Sequence, residues 1–141
     1  MPRLSIRLFV AVALFSSVVH AGASAPTSTR IVSAGEAWDG SPYREYPRGQ
    51  PELVLERVIL PPGAALPWHT HPAPAIGYVL SGALTVESRG NGSRHVRAGE
   101  ALPESVGGVH RGVAGAEGAE LLVFRASALG LPISVPAEVS R

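Results

Sequence analysis

The chain has 141 residues, room for one domain and too few for two independent cores. Hydrophobic residues make up 45% and charged residues 16%, with a formal net charge of +1, which argues against both a disordered chain and a nucleic-acid binder with a basic face. Cysteine is absent, so no disulfide can form; core burial must hold the domain, with a metal ion or oligomerisation, such as a homodimer, as the available aids.

The first element is the N-terminal segment. Arg3 and Arg7 precede an apolar run from Leu8 to Val19, and small residues follow. That layout predicts a secretory signal peptide over residues 1–23, cut after Ala21 or Ala23; Ala25 is disfavoured because Pro26 follows it. An uncleaved anchor is the alternative, for which the apolar run is short. Export would place the protein in the periplasm or the medium, with no membrane attachment after processing.

Residues 24–50 read as a flexible leader and an N-terminal edge segment. Ala21 to Arg30 is small and polar. Trp38 to Pro51 carries three prolines, two glycines and three aromatics, the composition of an ordered but irregular loop.

Residues 51–127 read as a β domain. The run Glu52 to Leu60 is rich in Val, Leu and Ile and stops at Pro61-Pro62-Gly63. The runs "AIGYVLSG" and "ALTVESRG" are hinged at Ser81-Gly82, and Asn91-Gly92 is a strong hairpin signal. The runs "SRHVRAGEAL", "GGVHRGVAG" and "AELLVFRAS" follow. Residues 128–141 form a proline-containing tail that can only lie along an edge or wander. About eight to ten short strands with regular turn signals, no convincing helix and no internal repeat predict an all-β sandwich or barrel.

One stretch in this domain carries chemistry. In "PWHTHPAPAIGYVLSG", His69 and His71 sit two residues apart with no charged side chain near them in sequence. Positions i and i+2 of a strand face the same way, so both imidazoles aim together while Thr70 points away. Such a pair holds a metal ion if a third ligand arrives from elsewhere; otherwise it is a hydrogen-bonded pair at a loop edge. Two further histidines lie beyond the N-terminal segment. His95 alternates with Val96 among charged neighbours and reads as solvent-facing, whereas His110 follows a glycine-rich turn that could aim it inward.

The stretch Gly63 to Gly82 resembles the first motif of the cupins: a glycine, five residues, His-x-His, a short gap to a glutamate, then six residues to a final glycine. Gly63, His69, His71 and Gly82 match it. "GEALPESVGGVH" is similar to the second motif at Gly99, Gly107 and His110, with Ser105 where proline is usual. The resemblance runs from about Leu53 to Ala126. It implies a jelly-roll barrel of two antiparallel sheets with a metal in its mouth, held by His69, His71 and His110.

Two positions depart from the family. Ala75 stands where the motif glutamate normally supplies a fourth ligand, and Gly77 stands where a bulkier residue is usual. An all-histidine site keeps the full charge of the ion and leaves coordination positions open, as catalytic sites do. Imidazole suits Fe, Zn, Cu or Ni alike. Glu104, in the apolar "ALPESV", is either a replacement carboxylate from the other sheet, acting as ligand or general base, or a solvated turn residue. Trp68 and Tyr78 have the opposite parity and read as packing residues. The resemblance implies either a metal-dependent dioxygenase for a small chelating, diketone-like or phenolic substrate, or a non-catalytic exported module binding a metal or small ligand. A metal-free structural barrel is a third reading.

Overall fold

The computed structural model describes residues 25–137, so the segment read as a signal peptide lies outside the described residues. Seven strands form the fold: β1 (Pro51–Leu60), β2 (His69–Thr70), β3 (Ala75–Ser88), β4 (Gly92–Arg97), β5 (Ala101–Glu104), β6 (His110–Ala128) and β7 (Val135–Pro136). All strand pairs are antiparallel. The all-β expectation holds, and the described residues contain no helix.

The strand count falls below the expected range because two pairs of runs fuse. "AIGYVLSG" and "ALTVESRG" form the single 14-residue β3, and the last two runs form the 19-residue β6. These long strands pair with each other twice. Residues 75–82 of β3 lie against residues 119–125 of β6, and residues 84–88 lie against 110–114, with register shifts between Val79 and Ser81 and between Gly82 and Leu84. The expected hinge at Ser81-Gly82 is therefore an irregularity inside one strand. Gly82 has φ +71° and passes so close to Gly118 that a Cβ there would lie 2.1 Å from the Gly118 carbonyl oxygen. Only glycine fits that crossing.

At this register shift the seven-stranded sheet divides into two groups of strands that share β3 and β6, consistent with a jelly roll. One runs β1, β6, β3, β5 through the C-terminal half of β6; the other runs β7, β2, β6, β3, β4 through its N-terminal half. The core between them comprises Leu60, Val79, Leu84, Val86, Val96, Leu102, Leu121 and Val123. Strand alternation supplies these side chains: in β6, Leu121, Val123 and Arg125 are buried while Phe124 is exposed.

Both flanking segments are ordered against the barrel. The N-terminal segment makes a bridge between Glu36 and Pro42, the Trp38 amide donates to the Pro103 carbonyl, and Ala37 is buried. The tail follows an edge: β7 pairs with β2, and the Ala137 amide donates to the Trp68 carbonyl.

Candidate metal centre

Three strand relationships bring the histidines together. His69 and His71 share a face by alternation, and His69 stands directly opposite His110 in the β2–β6 ladder. His71 also bridges to Val106, and the Gly107 amide donates to the His71 carbonyl, anchoring the loop that leads into His110. The ring centroids lie 4.6–5.0 Å apart, and one nitrogen from each ring falls within 4.8 Å of the others. His71 and His110 are buried and His69 is partly so.

Each ring is held from behind. Nδ1 of His69 lies 2.8 Å from the Pro67 carbonyl oxygen, Nδ1 of His71 lies 2.9 Å from that of Ile133, and Nδ1 of His110 lies 2.9 Å from that of Gly108. A carbonyl can only accept, so all three Nδ1 atoms carry the proton and all three Nε2 atoms turn inward. His69 Nε2 and His71 Nε2 face each other at 3.3 Å. Nε2 of His71 also faces the Glu104 carboxylate at 2.5 Å, so without an ion a proton lies between those two groups; it is the proton that a bound cation would displace. Backbone acceptors behind the rings are the usual means of fixing the orientation of metal-binding histidines.

Glu104 completes the cluster. It ends β5, which pairs with β3, and stands directly across from Ala75. Its Oε2 lies 2.5 Å from His71 Nε2 and 3.8 Å from His110 Nε2. The carboxylate therefore comes from β5, the strand paired with Ala75, and the solvated-turn reading is overturned because the side chain faces the barrel interior. The space left by Gly77 also faces it: a Cβ on Gly77 would meet Glu104 Oε1 at 3.4 Å. The expectation of a fully open side at Ala75 and Gly77 is corrected accordingly.

The charges are mutually adjusted. Burial works against ionisation of Glu104, but hydrogen bonds with His110 and His71 outweigh it and hold the carboxyl well below its usual range. Burial likewise opposes the charged form of His110, yet the Glu104 carboxylate prevails and raises its basicity. His69 is pushed down, first by burial and then by His71 and His110, which keeps it a neutral, ligating imidazole. Three inward Nε2 atoms and one carboxylate are a donor set that fits a divalent transition ion.

Residues 56–125 match the family model for the cupin domain. This barrel is a cupin domain. Among solved structures, it is similar to a cupin-like protein from Thermotoga maritima (21% identity over 63% of this chain and 67% of that one, TM-score 0.54). It is also similar to the DMSP lyase DddQ from Ruegeria pomeroyi (23% identity, 70% and 47%, TM-score 0.55). At those identities the likeness concerns the fold. A third match is the oxalate decarboxylase of Bacillus subtilis, described for its Mn(II) centres (26% identity, 55% and 22%, TM-score 0.50). The chain spans about half the length of the lyase and less of the decarboxylase. Comparison with curated proteins returned no match.

The cupin domain disposes of the remaining sequence candidates simply. His95 is exposed on β4, its Nδ1 3.1 Å from the Thr85 hydroxyl. Trp68 lies outside the cluster, with the guanidinium groups of Arg89 and Arg111 at 5.0 and 4.7 Å from its ring. Three contributors escaped sequence reasoning. The Ile133 carbonyl comes from the tail, which carries no local signal. The Tyr43 hydroxyl donates to the Glu104 carbonyl at 2.8 Å, from the N-terminal segment. Arg125 was legible: it continues the inward row of Leu121 and Val123, and a charge in such a row calls for a reason.

Proposed function

We propose that the cupin domain binds one divalent metal ion through His69, His71 and His110 and uses it to act on a small chelating molecule. The observation that carries this reading is the set of three Nδ1–carbonyl contacts, which commits every Nε2 to the interior. When bound, the ion would polarise a chelating oxygen and favour loss of a proton from the substrate. Once the ion has replaced its contacts with His71 and His110, Glu104 is the group placed to accept that proton, and the Tyr43 hydrogen bond to its backbone helps to hold it. The apolar walls, among them Leu84, Val86, Leu102 and Val123, exclude water and strengthen these interactions.

The size of the cavity limits the substrate. The space beside His69, His71, His110 and Glu104 is about 70 Å³. A cavity that takes up benzene is about 150 Å³, so a compact chelator fits this space more readily than a phenolic ring. Dioxygenase chemistry is open to such a chelator.

A second reading rests on the short His71–Glu104 contact. If Glu104 ligates the ion together with the three histidines, four protein ligands close the site, as in structural rather than catalytic centres. The domain would then be a metal-binding module without turnover. The layout of residues 1–23 supports export to the periplasm or medium as part of either proposal.

The test is metal analysis of the purified protein, followed by turnover and O₂-uptake assays with compact hydroxy and keto acids alongside phenols. Turnover of a compact acid supports the enzymatic reading, stoichiometric metal with no turnover supports the module, and absence of metal refutes both.

A further inference from the structure

Arg125 is the second charged group in the wall of this cavity. It stands on the other side of Ala75 from Glu104, because Ala75 pairs with Arg125 of β6 on one edge and with Glu104 of β5 on the other. Its residue exposure is 6%, and it lines the cavity together with the three histidines and Glu104. One terminal nitrogen of its guanidinium is bound to Glu56, a diagonal neighbour on β1. Its Nε is buried and has no partner.

A buried N–H without an acceptor is costly, and a guanidinium hydrogen more so, unless a ligand satisfies it. Glu56 meets only part of the demand of the fork, whose in-plane donors match a carboxylate. Apart from Arg125, the histidines and Glu104, the cavity lining is apolar or glycine. An acceptor oxygen beside Arg125 would satisfy the free Nε–H, and a carboxylate oxygen would form the stronger, charge-assisted bond while its other end met the proposed ion, across the cavity from Glu104.

We infer that Arg125 is a specificity-determining residue that anchors the carboxylate of a compact anionic ligand of one to three carbons, whose other end reaches the three-histidine centre. The inference deepens the proposed function and rests on metal binding there. The small volume of the cavity, about 70 Å³, favours a ligand of this size. Glu56 is a positioning residue: it fixes one nitrogen of the guanidinium and leaves Nε for the ligand.

The experiment is calorimetric titration of oxalate into metal-loaded protein, with metal content measured beforehand on each sample. Wild type should bind oxalate; Arg125→Gln should bind it roughly 10- to 100-fold more weakly at unchanged metal content, the loss expected for a charge-assisted hydrogen bond. Arg125→Lys, which keeps the charge but not the fork, should fall between them. If Arg125→Gln alone misfolds through the unpaired Glu56, the Glu56→Gln/Arg125→Gln pair removes both charges and should show the same loss. Equal oxalate affinity in wild type and the glutamine variant, or no oxalate binding by metal-loaded wild type, would overturn the role of Arg125 while leaving the metal centre intact. A wild-type protein that takes up no metal would overturn both, and the metal measurement reveals which has failed.

Discussion

Ala75 on β3 and Glu104 on β5 are direct partners in an antiparallel ladder, and the carboxylate missing at the first position is present at the second. Partners in such a ladder project to the same face. Exchange between them should therefore be tolerated: Glu104→Ala should weaken metal binding by roughly tenfold or more, and adding Ala75→Glu to it should restore most of the loss. Ala75→Glu alone should fold poorly, because it places a second carboxylate against the first at a buried position. Chelator competition on the variants measures the affinities. A double variant no better than Glu104→Ala would show that the two positions do not address the same point.

The histidine pair was legible because its logic is local: two residues apart in a strand means one face. The third histidine is legible from the glycine-rich turn before it and, with the four motif glycines, from the family resemblance. Glu104 was recognised as a candidate, but its true relation to Ala75 depends on a pairing register 29 positions apart in the chain, which sequence alone does not state. The hinge at Ser81-Gly82 was seen as a strand break because turn chemistry and a tight interstrand crossing both select glycine. The ring anchor at Ile133 was invisible, since any residue supplies a carbonyl.

That anchor makes the tail part of the site. Removal of residues 132–141 takes away the acceptor for His71 Nδ1 and the edge strand against β2. Metal affinity should drop roughly 10- to 100-fold, the usual cost of losing a group that orients a ligand. The barrel should remain folded, because none of the described residues among those deleted belongs to the buried core. Chelator competition reads the first effect and circular dichroism the second; undiminished affinity would mean that His71 is oriented by other contacts.

Gly82→Ala tests the crossing of the two long strands. The added Cβ would collide with the Gly118 carbonyl, and alanine would be strained at φ +71°. Destabilisation of more than about 3 kcal/mol is expected from strain and collision together. Denaturant unfolding measures it, and a loss below about 1 kcal/mol would show that the ladder relaxes freely there.

Tyr43 predicts an alkaline limit. Burial, followed by the charges of Glu104 and Asp39, pushes its hydroxyl up to about 12. The folded state thus favours the neutral phenol, whose contribution is complete below about pH 10 and is lost as the pH rises towards 12. Wild type should lose thermal stability across that interval more steeply than Tyr43→Phe. At neutral pH the same variant should be about 1 kcal/mol less stable for want of the bond to the Glu104 carbonyl. Parallel pH profiles of the two proteins would contradict the assignment.

The central claim is that three inward imidazoles hold one ion, and elemental analysis tests it most directly. Wild type and a His69→Ala/His110→Ala variant, which removes partners across the β2–β6 ladder, should be purified without chelators and compared at equal concentration. Wild type is predicted to carry close to one divalent transition ion per chain and the variant almost none, with matching circular dichroism spectra. Wild type without metal after loading, or equal metal in both proteins, would contradict the account.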